Sequence, residues 1–240
     1  MEVIVVDNYD KLSKKAFEIV KESIINKPNA NLGLATGSTP LGLYKEMVKE
    51  FENSKTSYKN VKTFNLDEYI GLSQDNEQSY FKFMRNNLFD YIDIDFENTY
   101  IPFGTASNVE NECVRYNTIL EENIVDLQVL GIGVNGHIGF NEPGSLFYEG
   151  VHVVKLDERT RNDNARFFES KNQVPTSAIT MGIKNILSCK KILLLASGKA
   201  KAKAIYEMIH GDILETMPAS ALRVHPNVVI IVDKEAASLL

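Results

Sequence analysis

Cysteines and long apolar runs are scarce in this chain of 240 residues. Its two cysteines, Cys113 and Cys189, have neither CxxC nor metal-type spacing, so we interpret them as free structural thiols. No apolar run approaches the length of a membrane span. The N-terminus lacks the basic start and the long apolar region of a secretory signal, so we expect a cytoplasmic protein.

An excess of positive charge is also lacking. The formal net charge is −6, and the lysines and arginines are dispersed, which argues against a nucleic acid or a membrane surface as the main partner. A small anionic ligand stays compatible with this charge, because a few local cations and backbone N–H groups bind one phosphate.

Short apolar runs alternate with longer amphipathic stretches along the chain, with no repeat and no long linker. This alternation predicts a doubly wound, Rossmann-like α/β fold, with a mostly parallel sheet and helices on both faces. We expect one domain over residues 1–240. The predicted strands are Val3–Val6, Asn31–Ala35, Val61–Leu66, Leu127–Gly131, Val151–Lys155, Lys191–Ala196 and Val228–Val232. The predicted helices are Tyr9–Asn26, Leu41–Phe51, Ser79–Phe89, Val109–Asn123, Lys199–His210 and Pro218–Arg223.

The least regular region extends from Ser145 to Thr176 and is rich in charged residues. It is interpreted either as a mobile cover over a site or as an ordinary surface excursion.

A glycine-rich loop after the strand at Leu127 presents a histidine and a glutamate, His137 and Glu142. In open α/β sheets ligands bind outside the carboxyl ends of the strands, so this acid/base-capable pair is a candidate for catalysis. The alternative is a tight turn whose histidine is hydrogen-bonded for stability.

The segment Leu34-Ala-Thr-Gly-Ser-Thr-Pro-Leu41 lies between a predicted strand and a predicted helix. Gly37, Ser38 and Thr39 offer N–H and hydroxyl donors beside the positive end of the helix dipole, which is typical of an anion-binding loop. Because the spacing of nucleotide-binding motifs is lacking, a smaller phosphorylated ligand fits better. An ordinary turn with Ser/Thr capping is the alternative.

Two adjacent carboxylates, Asp67 and Glu68, follow the third predicted strand. Neighbouring residues near a strand point in opposite directions, so only one of them readily faces a shared pocket. The other is expected to pair or to cap an element nearby.

Cations follow another predicted strand in Ser197-Gly-Lys-Ala-Lys201, and Arg166 lies in Asn-Ala-Arg-Phe-Phe168. Lysines along a helix are usually solvated. A lysine or arginine beside a helix N-terminus can also complete a phosphate site.

With these segments the chain resembles the glucosamine-6-phosphate deaminase family over nearly its whole length. The similar segments are Leu-Ala-Thr-Gly-Ser-Thr-Pro, Asn-Leu-Asp-Glu-Tyr, Gly-His-Ile-Gly-Phe-Asn-Glu-Pro and Asn-Ala-Arg-Phe-Phe. The resemblance implies conversion of D-glucosamine 6-phosphate and water to D-fructose 6-phosphate and ammonia. That reaction needs no hydride carrier, metal or electron sink, so no cofactor and no metal are expected.

The resemblance also implies individual roles. Asp67 would move a proton between C2 and C1, His137 would open the pyranose ring, and Glu142 would orient His137 or balance its charge. The 6-phosphate would be held by Gly37, Ser38, Thr39, Arg166 and Lys201.

The chain departs from the family pattern in two places. Asn135 stands where some members have aspartate, so His137 is expected to depend more on Glu142. His152 and Val154 stand where allosteric hexameric members have basic residues, so no activation by a regulatory phosphosugar is expected. We expect a monomer or a small homo-oligomer.

Two other classes remain as alternatives. A sugar-phosphate lactonase would also use a phosphate loop and a Gly-His loop, but lactone hydrolysis does not require a second carboxylate such as Glu142. A non-catalytic sugar-phosphate sensor usually accompanies a DNA-binding helix-turn-helix, and this chain has no basic stripe.

Overall fold

A parallel sheet of seven strands forms the centre of the computed structural model, which describes residues 1–53, 55–156, 158, 161–162, 165, 168 and 170–240. The strands are β1 (Glu2–Val6), β2 (Asn31–Leu34), β3 (Lys62–Asn65), β4 (Asp67–Tyr69), β5 (Thr99–Tyr100), β6 (Leu127–Leu130), β7 (His152–Lys155), β8 (Ser177–Thr180), β9 (Ile192–Ala196) and β10 (Val228–Asp233). The central sheet has the order β1-β10-β9-β6-β2-β3-β5. The other three strands form an antiparallel sheet in the order β4-β8-β7.

The helices connect these strands. They are α1 (Tyr9–Asn26), α2 (Leu41–Glu52), α3 (Tyr80–Asn87), α4 (Val109–Glu122), α5 (Ile183–Leu187) and α6 (Ala202–His210). The side chains of Asn8, Ser79 and Asn108 each accept a hydrogen bond from the backbone N–H three residues later, which fixes where α1, α3 and α4 begin. Among the described residues, none of the helices combines the length and the apolar composition that a membrane span requires.

Both faces of the central sheet are buried. On β9, Leu193 and Leu195 belong to the core under α1 and α2, whereas Ile192 and Leu194 belong to the core under α4, α5 and α6. Alternate residues of a strand point to opposite faces, so a strand covered on both sides is largely apolar, as β9 is. The predicted doubly wound α/β fold is confirmed.

Some predicted elements differ from the structure. The predicted strand Val151–Lys155 corresponds to β7, which pairs antiparallel with β8 and does not join the central sheet. Its residues alternate between half-buried and exposed, a pattern typical of a sheet with one solvated face. The predicted helix Lys199–His210 begins with a 3-10 turn, and Pro218–Val224 is 3-10 helix throughout.

The predicted cover at 145–176 is described only in part. Residues 157, 159–160, 163–164, 166–167 and 169 lie outside the described residues, and Arg166 is among them. The described part includes β7 and a short 3-10 turn at Lys171–Gln173.

Candidate active site

Four loops that follow neighbouring strands surround a cavity of about 680 Å³. The strands β9, β6, β2 and β3 are adjacent in that order and parallel, so their carboxyl ends lie at one edge of the sheet, where α/β folds bind ligands. The residues predicted from the sequence that line this cavity are Gly37, Ser38, Thr39, Asp67, His137 and Lys201.

The loop after β2 is held from behind by the phenol of Tyr9 on α1. The Tyr9 hydroxyl accepts the N–H of Gly42 at 2.8 Å and faces the carbonyls of Ser38 and Thr39, each at 3.0 Å. Gly37 has a φ of +89°, which L side chains rarely adopt. The loop therefore keeps a fixed shape at the start of α2, where N–H groups attract anions.

The loop after β9 is fixed by Asp233 at the end of β10. The Asp233 carboxylate accepts the hydroxyl of Ser197 at 2.5 Å and the N–H of Gly198 at 3.0 Å. Burial raises the pKa of Asp233, but these donors lower it below its ordinary value overall. Lys201 follows in a 3-10 turn and reaches the cavity beside Ser197.

The two adjacent carboxylates on β4 separate as the sequence predicts. Asp67 lines the cavity and is 5% exposed. Glu68 points to the other side of the strand and accepts the N–H groups of Tyr69, Tyr80 and Phe81 at 2.8, 2.9 and 2.9 Å. Tyr80 and Phe81 are the first two residues of α3, so the Glu68 carboxylate lies at the N-terminus of that helix.

Both carboxylates are strongly affected by burial. Burial, together with the charge of Glu68, raises the pKa of Asp67 to about 8. Burial also raises the pKa of Glu68 to about 7, although its three N–H donors act in the opposite direction. Three N–H donors stabilise the anion of Glu68, so the first negative charge of the pair falls there. Burial raises the pKa of Asp67 toward the range that suits a general base.

The glycine-rich loop after β6 folds back on itself. The N–H of Gly133 donates to the carbonyl of His137 at 2.9 Å, and the imidazole lies on Gly133, where an added Cβ would approach the ring to 2.4 Å. Gly139 has a φ of +57° and faces Asp67, whose Oδ2 would lie 3.5 Å from an added Cβ. Glycine at these positions lets the loop approach both acid/base candidates closely.

Glu142 and Asn135 lie behind the histidine. Glu142 Oε1 is 3.5 Å from Nδ1 of His137, and Glu142 Oε2 accepts the side-chain N–H of Asn135 at 2.7 Å. Asn135 Oδ1 accepts the backbone N–H of His137 at 3.3 Å. The amide thus uses both of its polar ends within the loop and directs the carboxylate toward the imidazole.

Sequence reasoning did not identify the aromatic side of the cavity. Tyr69, Tyr80, Phe140 and Phe168 all line it, with Tyr80 and Phe140 stacked at 6.0 Å between ring centroids. No local signal distinguishes such residues from ordinary core aromatics, since they come from four separate segments. Arg166 lies outside the described residues.

The described residues contain no group of three or more His, Cys, Asp or Glu side chains that could hold a metal ion. They do combine an anion-binding loop, a lysine, a carboxylate with a pKa near neutrality and a histidine backed by a second carboxylate. Such a set can hold a phosphorylated molecule and move protons at its other end.

Known proteins resemble this chain in sequence and in fold. The family described as glucosamine-6-phosphate isomerases/6-phosphogluconolactonase matches residues 7–231, so the chain belongs to this family. It is 53% identical over 241 residues to a glucosamine-6-phosphate deaminase of Clostridium botulinum (strain Langeland / NCTC 10281 / Type F), covering 100% of this chain and 99% of that protein. A deaminase of Thermoanaerobacter pseudethanolicus is 54% identical, with 100% and 95% covered.

Solved structures give the same family. A monomeric glucosamine-6-phosphate deaminase superposes with a TM-score of 0.98 at 47% identity, and all of both chains is covered. A 6-phosphogluconolactonase from Trypanosoma cruzi has a TM-score of 0.81 at 21% identity, covering 100% of this chain and 96% of that chain. The second likeness shows the fold alone, so the lactonase is a distant relative. The family predicted from the motifs is confirmed.

Proposed function

We propose that this protein is a glucosamine-6-phosphate deaminase that converts D-glucosamine 6-phosphate and water to D-fructose 6-phosphate and ammonia. The proposal rests chiefly on one observation: Asp67 and His137 line the same cavity as the loop 37–39 and Lys201. The similarity to named deaminases over the full chain supports it.

The 6-phosphate binds the N–H and hydroxyl donors of Gly37, Ser38 and Thr39, with Lys201 supplying positive charge. Arg166 completes this set by resemblance to the family. The phosphate end fixes the sugar so that its C1 and C2 reach the opposite side of the cavity, near β4 and the histidine loop.

His137 moves the proton between the O5 and the O1 of the sugar that opens the ring. Asp67 then takes the proton from C2 and returns it to C1, which turns the 2-amino aldose into a 2-imino compound. Water adds to the C2 imine, and ammonia leaves as the C2 ketone forms. Glu142 orients His137, and Asn135 orients Glu142 through its 2.7 Å hydrogen bond.

We also propose that the chain acts as one domain and as a monomer or a small homo-oligomer. The proposed partner is a small phosphorylated amino sugar, with neither nucleic acid nor cofactor, and the proposed location is the cytoplasm. The residues at positions 152 and 154 further lead us to propose that no phosphosugar activates the enzyme.

The test is to mix purified protein with glucosamine 6-phosphate and to measure ammonium and fructose 6-phosphate together. Equal amounts of both products are expected, and non-phosphorylated glucosamine should be a poor substrate. Hydrolysis of 6-phosphogluconolactone without release of ammonium from the amino sugar would instead support a lactonase. Binding of sugar phosphate without either reaction would support a sensor.

A further inference from the structure

One wall of the cavity is the segment 77–83, which includes the first residues of α3. Glu77, Gln78, Ser79, Tyr80 and Phe83 all line the cavity. The backbone of this wall is tied to β4 by the carboxylate of Glu68, which accepts the N–H groups of Tyr80 and Phe81, each at 2.9 Å.

A buried glutamate at position 68 is destabilising if its only role is a structural contact. The side chain is 2% exposed, and a buried charge is destabilising unless hydrogen bonds compensate it. It also directly follows Asp67, whose carboxylate lies on the cavity side of the same strand. A neutral cap such as Ser79, which already caps α3 through Lys82, would avoid a second buried negative charge beside Asp67.

We propose that Glu68 is a positioning residue that ties the wall 77–83 to the strand of Asp67 and places a negative charge beside the Asp67 carboxyl. The inference rests on the proposed function, because it takes Asp67 as the base. The wall then keeps Tyr80 in place against the bound sugar, and the negative charge of Glu68 favours the protonated form of Asp67.

Few other charges compete with this effect. Around the pair, the titratable groups of the described residues include Tyr69 of β4, Glu77 and Tyr80 of the wall, Tyr116 of α4, and His137 and Lys201 across the cavity. Burial raises the pKa of Tyr80 and that of Tyr116 well above the ordinary value of a phenol, so both side chains stay neutral over the pH range of the assay.

Two substitutions separate the two tasks. Glu68→Gln removes the charge and leaves one oxygen acceptor, so KM for glucosamine 6-phosphate should rise about tenfold as the wall loosens. The acid limb of kcat/KM should also move to lower pH by about one unit, because a like charge beside Asp67 is lost. Glu68→Asp keeps the charge but shortens the reach to α3, so KM should rise while the acid limb stays in place.

Asp126→Asn is the matched control. Asp126 is also a largely buried carboxylate that accepts a backbone N–H, from Asn31 at 2.8 Å, but it lies at the opposite end of the sheet. This variant should lower the thermal midpoint without changing KM or the acid limb.

If both variants fold, two results would overturn the proposal. One is a Glu68→Gln protein with a lowered thermal midpoint but with the KM and the acid limb of the wild type, as a merely structural residue would give. The other is an acid limb that moves equally in Glu68→Asp. If Glu68→Gln does not fold, an unchanged KM in Glu68→Asp overturns it. If the wild type releases no ammonia, the proposed function fails. The role of Glu68 in holding the wall is then tested by comparing the dissociation constant of glucosamine 6-phosphate between the wild type and the same two variants.

Discussion

Asp67 and Asp126 are two carboxylates at opposite edges of the central sheet, one just beyond the end of β3 and the other just before β6, and their surroundings differ in almost every respect. Asp126 precedes β6 and accepts Lys27 at 2.6 Å, Lys190 at 2.8 Å and the N–H of Asn31 at 2.8 Å. Asp67 follows β3, and among the residues that the structure describes no side-chain donor is seen to hydrogen-bond it. Burial therefore dominates at Asp67, and its pKa rises to about 8.

Under the proposed function, the paired end of the sheet stabilises the fold and the end with Asp67 carries the chemistry. Burial raises the pKa of Asp126, but its three donors lower it below the ordinary value overall. A paired carboxylate stabilises the folded state. A buried carboxylate without such donors is destabilising, and its raised pKa is typical of a group that exchanges a proton with a substrate.

The largest effect that we expect is on the rate of the Asp67→Asn variant. Loss of a general base typically lowers the rate by about 10²–10⁴-fold. Since the proposed role of Asp67 is to carry a proton and not to hold the phosphate, KM should change little. Steady-state assay of ammonium release measures both, and a kcat close to that of the wild type would refute the role of Asp67.

The same variant should be more stable than the wild type at neutral and alkaline pH. The pKa of Asp67 is raised in the folded state, so the stability associated with this group is fully present below the unfolded pKa, near 3.8, and is lost as pH rises to about 8. The gain on Asp67→Asn should reach about a few kcal/mol near pH 8 and vanish near pH 4. Urea unfolding at both pH values measures it, and equal stability at pH 8 would mean that the carboxylate has a partner in solution.

Gly133→Ala tests how closely the glycine-rich loop must approach His137. The new Cβ would lie 2.4 Å from the imidazole, so the ring must move, and displacement by about 1 Å costs up to about 10²-fold in kcat. Gly131→Ala is the comparison, because its Cβ would meet nothing within 4 Å. A kcat of Gly133→Ala equal to that of the wild type would show that the position of His137 is not critical.

The sequence predicted best the features that recur along the chain, namely apolar strands followed by polar residues at their carboxyl ends. The buried strand β9 is apolar throughout, and β10 is apolar up to Asp233. Asp67 and His137 follow strands whose carboxyl ends lie at one edge of the sheet. The prediction that only one of Asp67 and Glu68 faces the pocket followed from the geometry of a strand and is what the structure shows.

Other parts of the site could not be predicted because they depend on contacts distant in sequence. Tyr9 holds a loop about 30 residues away, and Asp233 holds Gly198 from 35 residues away. The strand β5 has only two residues, Thr99 and Tyr100, too few for a periodic pattern. Each of these residues is ordinary in its own segment, so only the tertiary fold gives it a role.

The smallest expected effect belongs to the paired end of the sheet. Asp126→Asn should lower the free energy of unfolding by about 1–3 kcal/mol, because Lys27 and Lys190 lose their charged partner and Asn31 keeps a weaker acceptor. Both lysines are partly exposed, which keeps the loss modest.

The stability that Asp126 contributes depends on pH in the opposite direction to that of Asp67. The pKa of Asp126 is lowered in the folded state, so its contribution is present above the unfolded pKa and is lost as pH falls through the folded pKa. The deficit of the variant should therefore be constant from pH 5 to pH 8 and shrink below pH 4, while kcat stays at the wild-type value. Urea unfolding across that range, with ammonium release as the activity readout, measures both, and a fall in kcat with unchanged stability would show that the two ends of the sheet do not divide these tasks.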